Sequence, residues 1–63
     1  MEPHQERVVV EKKELDEKLE KLMAFIGGPV FLTLDRYEQD RLHRQSDLMD
    51  KYSGVLAERI EAF

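Results

Sequence analysis

Residues 3–26 read PHQERVVVEKKELDEKLEKLMAFI, and the spacing of their apolar side chains decides the fold. Val8, Leu15 and Leu22 recur every seven residues, and Gln5, Lys12, Leu19 and Ile26 fall between them at steps of three and four. That alternation is one face of a helix built to pack on a partner. The seam is apolar towards Ile26 and polar towards Gln5. Lys12 stands where an aliphatic side chain is expected, so its stem should lie along apolar neighbours with the ammonium in water. The alternative is a functional lysine. Pro3 suits the first turn, where its missing N–H costs nothing. Glu2 and Glu6 put negative charge at the positive end of the helix dipole. Glu14 with Lys18 and Glu17 with Lys21 are acid-first pairs on the outer face. Val8, Val9 and Val10 lower helix propensity, but the charged helix formers around them outweigh the loss.

Gly27-Gly28-Pro29 stops this helix. Gly27 is expected in the left-handed conformation that closes a helix, and Pro29 cannot continue one. No phosphate-loop pattern follows the glycine pair, which therefore reads as a stop. Val30, Phe31, Leu32 and Leu34 are the most apolar part of the chain and should plug the closed end of a hairpin, with a short helical turn from Pro29. Asp35 with Glu38 reads as a capping box opening a second long helix. Its expected seam is Leu42, Gln45, Met49, Tyr52, Leu56, Arg59 and Phe63, flanked by Leu48, Val55 and Ile60. Asp40 with Arg44 and Asp47 with Lys51 repeat the acid-first pairs. Gly54 costs up to about 1 kcal/mol in a helix interior; the broad apolar face beside it suggests close approach of another helix.

The expected fold is therefore all-α: one helical-hairpin domain over residues 1–63, with a helix about 3–26, a turn 27–34 and a helix about 36–62. Counting back from the turn sets Leu22 level with Leu42, Leu15 with Met49, Lys12 with Tyr52, Val8 with Leu56 and Gln5 with Arg59. The closed end is apolar, and the open end gathers His4, Gln5, Arg7, Lys12, Tyr52 and Arg59. A lone hairpin leaves Val9, Leu48, Val55 and Ile60 wet, and such a patch reads as an oligomer interface. A homo-oligomeric bundle, most simply a dimer of four helices, is expected. Sixty-three residues give a small core that usually needs such support.

Composition narrows the function. The chain has no cysteine and only two histidines, His4 and His43, so neither a disulfide nor a zinc site is expected. The net charge of −4, with acids and bases interleaved, argues against a grip on duplex nucleic acid. No run is apolar enough to span a membrane. No nucleophile, triad or metal-ligand spacing is present, so neither a catalytic residue nor a cofactor is expected.

The run Pro3-His4-Gln5, then Arg7-Val8, Glu11-Lys12 and Leu15, resembles the opening of a family of very short phage-encoded helical proteins. That family is grouped with a protein of the crAss-like phages. Pro29, Phe31, Leu34, Glu38, Gln45, Met49, Tyr52, Leu56 and Arg59-Ile60 extend the resemblance over nearly the whole chain. It implies an accessory protein of a bacteriophage or prophage, acting in the cytoplasm of the infected or lysogenic host. Some small phage proteins that block host defence are helical-hairpin oligomers that sequester cyclic nucleotide signals, and this chain is similar to them in size and architecture. On that reading Lys12, Arg7 and Arg59 would hold phosphate, Tyr52 would stack on a base, and His4 and Gln5 would read base edges. The bland alternative pairs Arg59 with Glu6, makes Tyr52 a core aromatic and leaves Lys12 to fix register. The competing function is an adaptor or inhibitor that docks a host or phage protein on the apolar flank of Leu48, Val55 and Ile60.

Overall fold

A computed structural model describes all residues, 1–63. The chain is an all-helical hairpin: α1 over Pro3–Ile26, a short 3-10 turn over Phe31–Thr33, and α2 over Arg36–Glu61. The two long helices pack on each other and make a rod of 46 × 14 × 13 Å. No helix is long and apolar enough to cross a membrane.

Both helix starts are chemically defined. The Glu2 N–H, which lies just before α1, donates to Gln5 Oε1 at 3.0 Å. At α2 the Asp35 carboxylate accepts the Glu38 N–H at 3.0 Å. The Glu38 side chain does not complete a reciprocal box; it turns instead to Arg41, whose Nε donates to Glu38 Oε1 at 2.8 Å. At the other end of α1, Gly27 has φ −81° and ψ −2°, an ordinary right-handed conformation. No glycine in the chain has positive φ. The helix therefore stops without the expected left-handed residue: the Gly27 N–H still reaches Met23 O at 3.0 Å, the Gly28 N–H shortens to Phe25 O at 3.1 Å, and Pro29 follows.

The closed end is plugged by fewer residues than expected. Phe31 is buried and Leu34 half-buried, but Val30 and Leu32 face solvent, Leu32 at 78% exposure. The three-residue repeat of the 3-10 turn sets Phe31 and Leu34 on one side and turns their neighbours out. Gln39 ties this plug to α2, its amide donating to Phe31 O at 2.9 Å and to Leu34 O at 3.1 Å. The Phe31 ring meets His43 edge to face, with centroids 5.3 Å apart.

Along the hairpin, α1 presents the seam read from its sequence: Val8 is buried, and Gln5, Lys12, Leu15, Leu19, Leu22 and Ile26 are half-buried. The α2 seam differs from the expected one. Leu42, Ser46, Met49, Ser53, Leu56 and Ile60 are its covered positions, while Gln45, Tyr52 and Arg59 are exposed. The helix is thus rotated so that two serines, rather than a glutamine and a tyrosine, meet α1. Small side chains let the backbones approach, and both hydroxyls are satisfied: Ser46 Oγ donates to His43 O at 2.8 Å and Ser53 Oγ to Asp16 Oδ1 at 2.5 Å. The Asp16–Ser53 contact also moves the register. Counting from the turn sets Asp16 level with Leu48, so α2 lies about one turn from that pairing once the lean of side chains towards their own N-termini is included. Gly54 is not a point of close approach. A Cβ there would meet nothing within 4 Å; the approach is one residue earlier, at Ser53. Leu56 has no exposed surface and is the only fully buried side chain.

The acid-first pairs of the outer faces do not close. The chain holds two ion pairs, Lys12–Asp16 and Arg41–Glu38. The partners Glu14–Lys18, Glu17–Lys21, Asp40–Arg44 and Asp47–Lys51 stay apart, as solvated side chains gain little from pairing in water.

Candidate functional site

Two polar arrangements stand out on this scaffold, and the first is structural in its contacts. Lys12 Nζ lies 2.6 Å from Asp16 Oδ2, one helical turn along α1. The other carboxylate oxygen takes the Ser53 hydroxyl from α2. The Lys12 side chain keeps 28% of its surface exposed, and Asp16 holds it and links it to the facing helix. The Asp16 carboxyl is pushed below the usual aspartate range, first by the hydrogen bond from Lys12 and then by that from Ser53, against a smaller opposing effect of desolvation.

The second is a groove along the outer face of α2, about 390 Å³ in volume, lined by Arg41, Arg44, Gln45, Leu48, Met49 and Tyr52. Successive steps of three and four along one helix place the two guanidiniums at one end and the Tyr52 ring at the other, with Leu48 and Met49 between them. Arg41 is anchored by Glu38, whereas Arg44 has no carboxylate partner. Cations beside an aromatic ring over an apolar floor suit a ligand with both negative charge and a flat ring.

Within one chain the six residues expected at the open end do not share a concavity. Tyr52 belongs to the α2 groove. Lys12 lines a shallow trough with Val9, Asp16 and Ile60. Arg7 lines another with Pro3, Glu6 and Val10 on the far side of α1. Gln5 is engaged at the helix start through the Glu2 N–H, His4 is exposed in the first turn, and Arg59 is exposed in the last turn of α2 without an ion-pair partner. Of the expected interface residues, Leu48 and Val55 are exposed on α2, while Val9 and Ile60 sit together at the rim of the α1–α2 seam. The groove also takes in Arg41 and Arg44, which lie outside the open-end set; their helical spacing to Leu48 and Tyr52 is the signal that marks them, whereas in sequence Arg44 reads first as half of a surface pair with Asp40. No three His, Asp or Glu side chains converge as a metal site needs.

A family model described as Sequestin matches residues 2–62. Neither the curated proteins nor the solved structures give a match.

Proposed function

We propose that this chain, which belongs to the Sequestin family, is a non-enzymatic binding protein that sequesters a small anionic ligand of the cyclic-nucleotide type. The family's name speaks of holding a molecule rather than transforming one. The observation that carries the ligand class is the α2 groove, where Arg41 and Arg44 stand beside Leu48, Met49 and Tyr52. Guanidiniums fit phosphate oxygens through paired N–H donors, and a tyrosine ring offers a stacking face that tolerates any base. A trough this open on a single chain captures a ligand tightly only when a second wall is added, so the site is shared between copies. His4, Gln5, Arg7 and Lys12 of α1, together with Tyr52 and Arg59 of α2, are the residues through which other copies would complete it. The biological setting that fits is a phage accessory protein that withdraws a signal of host antiviral defence in the bacterial cytoplasm.

A thermal-shift screen against cyclic dinucleotides, cyclic trinucleotides and cyclic ADP-ribose isomers tests the reading. At least one of these is expected to raise the melting temperature in a dose-dependent way, since a ligand that binds only the folded form stabilises it by mass action. A well-folded protein that none of them stabilises would overturn it and favour an adaptor that docks a host or phage protein through the exposed apolar residues of α2.

A further inference from the structure

The outer face of α2 carries a stripe of large side chains spaced evenly about Asp50. Leu48 and Tyr52 lie two residues to each side of Asp50, and Gln45 and Val55 lie five to each side. Arg41 and Arg59 follow at nine, then Tyr37 and Phe63 at thirteen. At the angular step of an α-helix the seven from Tyr37 to Arg59 share one arc of roughly 80°, and Phe63 follows two residues past the end of α2. All of them are exposed, with Leu48 at 66% and Tyr37 at 75%. The order from each end inwards is aromatic, arginine, a middle-sized residue, then a large hydrophobic or aromatic one. In an isologous twofold contact between antiparallel helices each residue meets its mirror position on the other copy, so this spacing sets large side chains against one another.

The surface area leaves room for such a contact. The chain exposes 5034 Å², whereas a compact monomer of its mass exposes about 4,200 Å². The excess, roughly 800 Å², is what each partner contributes to a standard protein interface. The radius of gyration, 14.5 Å, likewise exceeds the value of about 11 Å for a compact chain of this length.

We propose that the stripe is the contact face for a second copy of this chain, with the two α2 helices antiparallel about a twofold axis level with Asp50. Leu48 then faces the partner's Tyr52, Gln45 the partner's Val55, and Tyr37 the partner's Phe63. Arg41 faces the partner's Arg59. Glu38, already 2.8 Å from Arg41, lies one turn away and supplies the charge that lets two arginines meet. This arrangement deepens the sequestration reading and rests on it for the ligand. The contact covers Leu48 and Tyr52 in the middle of the groove and leaves its charged end open, where the partner's Arg59 joins Arg41 and Arg44 at each end of the seam. Each dimer thereby gains two equivalent clusters of three arginines.

Sedimentation equilibrium of the ligand-free chain, combined with cross-linking, tests the contact separately from ligand binding. The wild-type chain is expected to sediment as a dimer or a multiple of it. Gln45→Cys and Val55→Cys single variants are expected not to form disulfide-linked dimers. In either, the two thiols of a pair would be about 15 Å apart along the helices, beyond the roughly 7 Å limit between bridged Cα atoms. The same spacing forbids a bridge within one chain of the double variant. Mild oxidation of the double variant should therefore convert most of the protein to a covalent dimer. A monomeric wild-type chain would overturn the proposal, and so would an oligomer whose double variant cross-links no better than either single one. A stable dimer that ignores every cyclic nucleotide would leave the contact standing and remove only the ligand.

Discussion

Ser53 donates a hydrogen bond from α2 to the Asp16 carboxylate on α1, across 37 residues of chain. The second oxygen of the same carboxylate holds Lys12. One acid thus links a half-buried cation to the facing helix and fixes where α2 sits along α1. Asp16→Asn should weaken the fold and lower the urea midpoint at pH 7. Ser53→Ala should do so to a smaller degree, because Lys12 still pairs with Asp16. Circular dichroism during urea titration measures both.

Acid should act through the same group. The folded-state pKa of Asp16 lies below the ordinary 3.8, so folding favours the ionised form. Its contribution to stability is complete above the ordinary value and is lost as pH falls through the lower, folded one. The difference in urea midpoint between wild type and Asp16→Asn is therefore expected to be constant from pH 7 to about 5 and to shrink below 4. A difference that grows on acidification would contradict this assignment.

Leu56 has no exposed surface, and so small a core offers little to close a cavity. Leu56→Ala is expected to cost about 2–5 kcal/mol, enough to leave the chain largely unfolded at low micromolar concentration. Gly54, two residues earlier, should behave in the opposite way. Nothing stands within 4 Å of a Cβ at that position, so Gly54→Ala is expected to raise stability by about 0.5–1 kcal/mol. Thermal melts of the two variants should move in opposite directions.

The plug at the closed end hangs on one amide. Gln39→Ala removes two hydrogen bonds, to Phe31 O and Leu34 O, and leaves part-buried carbonyls without that donor. A loss of about 1–3 kcal/mol is expected. Amide exchange should accelerate first at Thr33 and Leu34, whose N–H groups close the 3-10 turn.

Ligand binding separates two cations that look alike in sequence. Arg59 makes no ion pair within its own chain and faces a like charge, the partner's Arg41, in the proposed dimer, so Arg59→Ala should not lower the melting temperature of the free protein and should abolish the shift caused by a cyclic nucleotide. Arg44→Ala should do the same. Lys12→Ala should lower the melting temperature without any ligand present, since Asp16 loses its partner at 2.6 Å. A normal ligand shift in both arginine variants would place the site elsewhere.

The hairpin was legible because its signals are local: an unbroken three-and-four seam in α1, a Gly-Gly-Pro stop and an aspartate cap. The face of α2 was not. Hydrophobicity marks Leu48, Tyr52 and Val55, yet Ser46 and Ser53 are what α1 covers. A buried serine leaves no apolar trace in sequence; Ser46 bonds back to His43 O on its own helix, and Asp16, the acceptor of Ser53, comes within reach only when the helices are placed together. The same rotation explains where the candidate residues of α2 lie. Tyr52 and Arg59 were expected level with Lys12 and Gln5, but turning α2 onto its serines carries them outwards. There they share a face with Arg41 and Arg44.

No residue of the connection between the helices needs a left-handed backbone. Pro29, with the restriction it places on Gly28, the hold of Gln39 and the burial of Phe31 against His43 keep α1 from running onward. A chain that straightened there would offer both of its helices to a neighbour. Two such chains could exchange α2 and recreate every contact of the closed form, Asp16 with Ser53 included. Such an exchange would make chain concentration during folding a variable in its own right, with dilute chains closing on themselves and crowded ones free to trade helices.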